Sequence, residues 1–229
     1  MSPPPSFRPS SRPRQLALAL DHAESYARED FLSGPGNAAA LALIESWPDW
    51  PANAVALVGP QGSGKSHLAA IWAAASGARV TSGRALDESG LLPELATGAL
   101  VVEEAAAADE RTLFHLINLA RGEESFLLLT ARTAPSAWPV VIADLASRLR
   151  ALPVITLQAP DDGLLRGLIV KLAADRQLEL KEDVVGYLVN HIERSFAAAR
   201  AAVIALDDES LRQGRRPTRA LAAELFDRR

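Results

Sequence analysis

The stretch that decides the fold is "AVALVGPQGSGKSHLAAIWAAASGARV", residues 54–80. Its first five residues are apolar and rich in valine, which predicts a strand buried on both faces. A helix is expected from residue 65, and the start of another strand near residue 79. Between strand and helix lies a loop with the spacing G-x-x-x-x-G-K-[ST], formed by Gly59, Pro60, Gln61, Gly62, Ser63, Gly64, Lys65 and Ser66. The order of strand, loop and helix therefore predicts a nucleotide site.

The residue types of this loop suit a phosphate chain. Small residues let the backbone wrap an anion with its N–H groups pointing inward, and the following helix adds the positive end of its dipole. We expect Lys65 to reach the β and γ phosphates and Ser66 to hold Mg²⁺. His67, in the first helical turn, joins the candidate nucleotide-binding residues. A chance Gly-rich turn is the alternative, which the complete motif disfavours.

A second apolar run, "GALVVEEA" at residues 98–105, ends in two carboxylates. Ligands of parallel α/β sheets bind at the carboxyl ends of strands, so Glu103 is the candidate metal ligand and Glu104 the candidate for polarising the attacking water. Aspartate is usual at the first position, and glutamate is longer by one methylene. We therefore expect weak intrinsic ATPase activity. A strand that ends in a solvated acidic turn is the alternative.

A third run, "SFLLLTART" at residues 125–133, places Thr130 at the end of a buried strand. A polar residue there can contact the γ phosphate or the attacking water. A threonine that only caps the strand is equally consistent with the pattern.

Strands at residues 54–58, 99–102, 126–129 and 154–157 alternate with helical patterns, whereas the chain is helical from Asp161 onward. This order predicts the α/β class, with a parallel sheet flanked by helices and a small all-helical C-terminal lid. We expect the nucleotide-binding subdomain to span 21–160 and the lid 161–229.

Composition limits the remaining function classes. The 229 residues carry a net charge of −4, with no cysteine and a 48% hydrophobic content. Cysteine-ligated metals and disulfides are thereby excluded, and no run approaches the roughly 20 apolar residues of a membrane span. The acidic balance argues against tight sequence-independent binding of nucleic acid. We expect a cytoplasmic protein.

The N-terminal leader poses a separate question. Residues 1–14, "MSPPPSFRPSSRPR", have five prolines and almost no aliphatic side chains, which predicts a disordered tail. Residues 15–20 then carry Gln15 followed by leucines at alternating positions, Leu16, Leu18 and Leu20. Such alternation fits an edge strand, and it equally fits an extended peptide that docks on another protein.

Taken together, these motifs resemble the AAA+ ATPases. More narrowly, they resemble the DnaA ATPase-domain family and its short Hda-type members, the regulatory inactivators of DnaA. The segments that carry the resemblance are "DFLSGPGNAAALALI" at 30–44, "LASRL" at 145–149, "LDDESL" at 206–211 and "RPTRALAAEL" at 216–225.

The resemblance implies roles for further residues. Hda-type proteins open with a clamp-binding peptide Q-L-x-L-P-L, which residues 15–20 match except for Ala19 in place of proline. Arg148 matches the arginine that points into a neighbouring subunit's ATP site, and Arg194 is the best match for the second sensor of the lid. A surface salt bridge for Arg148 and a solvated Arg194 remain the alternatives.

The implied function is regulation of replication initiation. The protein would bind ADP or ATP with Mg²⁺, bind the DNA polymerase III β sliding clamp, and stimulate hydrolysis of DnaA-bound ATP through Arg148. We also expect AAA+ homo- or hetero-assembly, association with the nucleoid or replisome, and no DNA-binding domain. One alternative is an autonomous ATPase that loads or remodels a replication protein such as a helicase. Another is a DNA-bound adaptor that recruits DnaA without catalysis.

Overall fold

A sheet of five parallel strands forms the centre of the computed structural model, which describes residues 26–227. The leader, including the candidate clamp-binding peptide 15–20, lies outside the described residues. The strands follow the order β2-β3-β4-β1-β5, so the strand that feeds the phosphate loop is flanked on both sides. Their bounds are β1 (Ala54–Val58), β2 (Arg79–Ser82), β3 (Ala99–Glu103), β4 (Phe126–Ala131) and β5 (Val154–Thr156).

Four of the helices begin after a capping residue that the sequence marks clearly. Asp109, Asp161, Ser195 and Thr218 each accept a hydrogen bond from the backbone N–H three residues further on, as N-capping residues do. The helices are α1 (Ala38–Glu45), α2 (Lys65–Ser76), α3 (Leu91–Glu94), α4 (Glu110–Gly122), α5 (Ala143–Ala151), α6 (Asp162–Asp175), α7 (Glu182–His191), α8 (Phe196–Gln213) and α9 (Arg219–Phe226).

Both faces of the sheet are covered, and alternate residues of β1 show how. Ala54, Ala56 and Val58 pack on the layer formed by α3, α4 and α5. Val55 and Leu57 pack on the opposite layer, which α1 and α2 form. Because a central parallel strand is buried on both faces, its sequence is continuously apolar. The strand predicted for residues 54–58 therefore has the same first and last residues in the structure.

The strand β2 is the element that the sequence indicates only by its start. It lies at the sheet edge and pairs with β3 from Arg79 opposite Leu100 to Ser82 opposite Glu103. Its one aliphatic residue, Val80, is 54% exposed. Four residues with one apolar side chain give too little periodicity to be counted as a strand, so the prediction of four strands was one short.

Helices α6–α9 form a separate layer with a hydrophobic core of its own. Each helix contributes buried aliphatic side chains, among them Leu165 and Ile169, Val185 and Leu188, Val203 and Leu206, and Leu221. The predicted fold class, an α/β sheet domain with a C-terminal helical lid, is confirmed. Within residues 26–227 no helix combines the length and apolarity needed to cross a bilayer.

Candidate nucleotide-binding site

The phosphate loop lies at the carboxyl edge of the sheet, between β1 and α2. Val58 pairs with Ala131 of β4, and the N–H of Gly59 donates to the Ala131 carbonyl oxygen at 3.1 Å. Gly62, at the turn of the loop, has a φ of 72°. This left-handed conformation is costly for any residue with a Cβ, which explains the glycine there. The loop is thus attached to the end of the neighbouring strand.

Lys65 is held inside the loop. Its ammonium donates to the carbonyl oxygens of Gly59 at 2.8 Å and Pro60 at 2.7 Å. Burial lowers the pKa of Lys65 below its ordinary 10.5, and the positive charge of Arg132 lowers it further, while Glu103 and Glu104 act in the opposite direction. The ammonium therefore lies in the electrostatic field of both strand-end carboxylates and of a second cation.

Glu103 and Glu104 end β3 with different backbone conformations. Val101 packs on the α2 side of the sheet, and side chains alternate along a strand, so Glu103 is directed to the α2 side as well. Glu104 is left-handed, with a φ of 49°, and its N–H donates to the Thr130 hydroxyl at 3.2 Å. The strand thus turns sharply between the candidate metal ligand and the candidate catalytic carboxylate.

The Thr130 hydroxyl supports this turn. Its side chain lies on β4, is almost completely buried, and accepts the hydrogen bond from Glu104. The hydroxyl keeps its own hydrogen for donation to another partner. This hydrogen bond supports the alternative in which Thr130 has only a structural role. A contact between Thr130 and the γ phosphate stays a prediction.

The residues chosen as Mg²⁺ ligands have suitable chemistry. Ser66 offers a hydroxyl oxygen and Glu103 a carboxylate, and Mg²⁺ prefers oxygen ligands. In the described part of the chain no three acidic or histidine side chains converge on a metal site. This arrangement fits Mg²⁺ held mainly by phosphates and water, with one or two protein ligands, as in phosphate-loop proteins.

The lid rests on the phosphate loop. The N–H of Phe196, the first residue of α8, donates to the Gly62 carbonyl oxygen at 3.0 Å. A Cβ on Gly62 would lie 2.5 Å from the Cβ of Ser195, and one on Gly64 would lie 3.6 Å from the Phe196 ring. The loop and the start of α8 therefore fit together because Gly62 has no Cβ, whereas a Cβ on Gly64 would make only an ordinary van der Waals contact.

Arg194 precedes this contact directly. Its guanidinium pairs with the carboxylate of Asp162, the first residue of α6, at 2.8 Å, and its side chain is 60% exposed. The backbone next to Arg194 touches the loop, whereas its charge lies against α6. The role of Arg194 as a second sensor stays a prediction.

A cleft of about 370 Å³ opens between residues 32–35 and the start of the lid, where Asp161, Gly163, Leu164 and Gly167 line it. Buried Asn37 holds the 32–35 segment in shape. Its Oδ1 accepts from the Gly34 N–H at 2.8 Å, and its Nδ2 donates to the Leu32 carbonyl at 3.0 Å. The segment 30–44 that carried the sequence resemblance contains Asn37, but the sequence prediction gave this residue no role, although an asparagine directly before a helix is a typical capping residue.

His67 connects α2 to the residues before α1. Its Nε2 lies 2.9 Å from the Ala27 carbonyl oxygen, and the rings of Tyr26 and Phe31 meet it edge-on at centroid distances of 5.4 and 5.2 Å. The structure thus gives His67 partners in the N-terminal segment. A contact between His67 and nucleotide stays a prediction.

Arg148 lies on α5, apart from the phosphate loop of its own chain. It donates two hydrogen bonds to Asp144, at 3.1 and 3.2 Å, and its guanidinium carbon lies 5.6 Å from the centroid of the Phe114 ring. The surface ion pair that the sequence left open is therefore present. An arginine that acts on a neighbouring subunit is expected to lie outside its own nucleotide site.

Arg132 is a site residue that sequence reasoning missed. It follows β4 directly, and its Nη2 donates to the Gln61 side-chain oxygen at 3.1 Å. The signal was available, since a cation directly after a strand adjacent to β1 must lie at the ligand-binding edge of the sheet.

Comparisons with known proteins agree with this architecture. Residues 162–222 match the family model described as the Hda lid domain. The fold is similar to domain III of the Thermotoga maritima replication initiation protein DnaA, with a TM-score of 0.72 and 20% identity, covering 88% of this chain and 95% of that one. A sequence comparison with curated proteins gives no match.

Two further structures share the fold. The Thermotoga maritima RuvB Holliday junction branch migration motor has a TM-score of 0.71 at 18% identity, covering 89% of this chain and 72% of that one. AMPPCP-bound DnaA from Aquifex aeolicus has a TM-score of 0.66 at 19% identity, covering 81% of this chain and 66% of that one.

The parallel sheet, the loop that ends β1 and the helical lid give this chain the fold of the DnaA ATP-site domain. The sequence of the lid matches the Hda lid domain, so the chain is similar to the Hda-type proteins in its lid and to domain III of DnaA in its fold. The resemblance inferred from the sequence is confirmed.

Proposed function

We propose that this protein regulates the initiation of chromosome replication by stimulating hydrolysis of ATP bound to DnaA. The observation that carries the proposal is a complete phosphate loop in direct contact with an Hda-type lid, through the hydrogen bond from Phe196 to Gly62. A nucleotide that binds the loop would thereby fix the lid, which the proposed regulator needs for a defined surface towards its partner.

The nucleotide would be ADP or ATP. Its phosphates would lie against the loop and Lys65, and the adenine base would occupy the cleft between residues 32–35 and α6. The AMPPCP held by the similar Aquifex aeolicus DnaA supports the choice of adenine. Arg194 lies two residues before Phe196, which contacts the loop. Its exposed ion pair with Asp162 contributes only about 0.2–1 kcal/mol, so the guanidinium could leave Asp162 for a phosphate.

Mg²⁺ would be held by Ser66 and Glu103, and it would neutralise charge on the bound phosphates. Glu104 would orient water. The left-handed backbone of Glu104 and the hydrogen bond from its N–H to Thr130 fix the position of its Cα, from which the carboxylate extends. Glu103 is one methylene longer than aspartate, so it would place its carboxylate differently relative to the ion. Slow intrinsic turnover follows, with the bound nucleotide acting mainly on structure.

The catalytic contribution of this chain would be made in trans by Arg148. An arginine that meets the transferring phosphoryl group stabilises its developing charge and can be worth about 10³–10⁵ in rate. Arg148 is held by Asp144 and Phe114, with 28% of its side chain exposed. These contacts keep the guanidinium extended along α5, and both are weak enough to be exchanged for a phosphate.

The partners would be DnaA and the β sliding clamp, joined in an AAA+ hetero-assembly. The leader would supply the clamp contact through Gln15, Leu16, Leu18 and Leu20. An extended segment of this kind offers an amide for hydrogen bonding and leucines for apolar pockets.

The proposal is tested by following hydrolysis of radiolabelled ATP pre-bound to DnaA, with the clamp loaded on DNA and this protein added. We expect stimulation by the wild-type chain and a loss of at least about 10²-fold in stimulated rate for Arg148→Ala. Arg150→Ala is the matched control, because it removes a cation from the same helix. Equal stimulation by wild type and Arg148→Ala would contradict the finger role.

A further inference from the structure

The segment 26–32 runs up to the cleft and lies between the sheet domain and the lid. Phe31 belongs to the hydrophobic core between the sheet and helices α1 and α2, whereas its neighbour Leu32 packs against the hydrophobic core of the lid. Arg28 pairs with the carboxylate of Glu45, the last residue of α1. Two consecutive residues thus belong to two different cores, and the segment joins the sheet domain to the lid.

The sheet side of this segment is fixed at the helix that follows the phosphate loop. The carbonyl oxygen of Ala27 lies 2.9 Å from Nε2 of His67, and the rings of Tyr26 and Phe31 contact the imidazole edge-on. A Cβ on Gly64 would lie 3.5 Å from Cε2 of Phe31. The segment is therefore held directly beside the phosphate loop.

The lid side of the segment is held by an ion pair between Asp30 and Lys171. The ammonium of Lys171, on α6, lies 2.5 Å from the carboxylate of Asp30 and 3.1 Å from that of Asp175, which is on α6 as well. The hydrogen bond to Asp30 is the first of the causes that raise the pKa of Lys171 above its ordinary 10.5. Both side chains of the pair are partly buried, 27% and 28% exposed, so solvent screens their attraction less than that of a fully exposed pair.

This ion pair lies outside the cleft and connects its two walls. One wall is the segment 32–35, which begins two residues after Asp30, and the other is the start of α6. Lys171 follows Gly167 by four residues, so the two share a face of α6. The walls approach closely, since a Cβ on Gly167 would lie 4.0 Å from Cδ1 of Leu32. An ion pair between residues outside the cleft thus helps to set the spacing of its walls.

We infer that Asp30 and Lys171 are positioning residues of the proposed nucleotide site, which hold the lid against the segment 26–32 and thereby raise nucleotide affinity without touching the nucleotide. This inference rests on the proposed nucleotide binding in the cleft. A nucleotide there needs both walls at once, so a lid that is docked for only part of the time lowers the apparent affinity by the docked fraction.

The test measures equilibrium binding of ADP and of ATP, each with Mg²⁺, by isothermal titration calorimetry on the full chain. Lys171→Met keeps the length of the side chain and removes its charge, so it should weaken binding about two- to fivefold, the range that an ion pair of this kind contributes. The loss should be equal for ADP and ATP, because the two walls would enclose the base. Lys171→Arg keeps the charge and should bind both nucleotides nearly as the wild type does.

Two further variants separate this ion pair from other effects of charge. Asp30→Asn removes the partner in the segment and should cause the same loss as Lys171→Met, and the double variant should lose no more than either single variant. Asp175→Asn is the matched control, because it removes the partner of Lys171 that lies within α6 and leaves the contact between the walls in place. Its affinities should equal those of the wild type.

Hydrogen exchange in the absence of nucleotide gives a second readout, which follows the docking of the lid itself. The N–H of Phe196 donates to the Gly62 carbonyl oxygen across the contact between lid and loop, so Lys171→Met should speed its exchange about two- to fivefold. The N–H of Leu188, within the core of the lid, should exchange as in the wild type.

Four results overturn the inference while nucleotide binding stands. They are unchanged nucleotide affinity in Lys171→Met, a loss confined to one nucleotide, an equal loss in Asp175→Asn, and faster exchange of Leu188 together with Phe196, which would mean that the variant loosens the lid as a whole. A wild-type protein that binds neither nucleotide overturns the proposed function together with the inference.

Discussion

Single residues at the sheet edge carry the proposed chemistry, and Glu104 shows how their positions are maintained. A non-glycine residue in the left-handed region stores strain that the surrounding structure must hold. Here the Thr130 hydroxyl binds the N–H of Glu104, and the Glu104 carbonyl accepts from Ala107 at 2.8 Å. The strain lies next to the candidate metal ligand, where a fixed carboxylate position is most useful.

The protonation of Lys65 gives a prediction at the same scale. Burial and, to a lesser extent, the charge of Arg132 hold the pKa of Lys65 below 10.5 in the folded protein. Folding therefore favours the neutral amine, and the part of the free energy of unfolding that this preference contributes at high pH is lost as the pH falls through the folded-state pKa. Replacing Arg132 by glutamine removes one of the two causes and raises the Lys65 pKa. The rate of Lys65 acylation, followed by mass spectrometry across alkaline pH, should then have its midpoint at higher pH.

Arg121→Gln serves as the control for this measurement, since it removes one positive charge at the far edge of the sheet. Its acylation midpoint should coincide with that of the wild type. If Arg132→Gln left the midpoint in place or lowered it, the two cations would not interact as described.

At this scale the sequence predicted what is contiguous in the chain. The loop from Gly59 to Ser66 was recognised because eight adjacent residues carry its chemistry. Asn37 and Arg132 were missed because their roles depend on neighbours that only folding brings close: the turn at Leu32 and Gly34, and Gln61 across two strands.

Among the elements, the contact between the loop and α8 is the most demanding sterically. Gly62→Ala adds a methyl group 2.5 Å from the Ser195 Cβ, at a φ of 72°. Gly77→Ala is a matched control, with the same φ and no atom within 4 Å of the added Cβ. In both variants, alanine in the left-handed backbone conformation costs about 1–2 kcal/mol. We expect urea unfolding to show a larger loss of stability for Gly62→Ala than for Gly77→Ala.

The double variant Gly62→Ala/Ser195→Gly separates the two causes. Glycine at Ser195 removes the clashing Cβ, and as an N-cap it costs only a few tenths of a kcal/mol relative to serine. The double variant should therefore approach the stability of Gly77→Ala. Equal losses for Gly62→Ala and Gly77→Ala would mean that the loop and α8 can separate without cost.

Element prediction from the sequence succeeded where periodicity was strong. The buried strand Ala54–Val58 and the capped helix Glu110–Gly122 could be predicted from their patterns alone. For the edge strand β2 the sequence indicated only the start and not the extent, because pairing with β3 satisfies the backbone while the side chains remain largely exposed. The docking of the lid on the loop is a tertiary property and has no signal in any single element.

For the whole molecule, the proposed function needs a leader that binds the sliding clamp. Replacing Leu18 and Leu20 by alanine removes two apolar anchors, so capture of this protein on immobilised clamp should be abolished. Ala17→Ser, at the position where the motif accepts any residue, should leave capture intact. Capture that persists without the leucines would favour the autonomous ATPase or the adaptor, and robust turnover by the isolated chain, lost in Lys65→Ala, would favour the former.

The contact between Tyr26 and His67 limits where such a clamp could stand. Six residue steps separate Leu20 from Tyr26 in the sequence, and an extended chain covers at most about 3.6 Å a step, so this tether can span at most roughly 22 Å. Because Tyr26 contacts His67, a sliding clamp bound to Leu20 would be tethered to the molecule near the first turn of α2. In the proposed assembly the clamp and the sheet domain would therefore be joined by a short tether, which limits how far the two can separate.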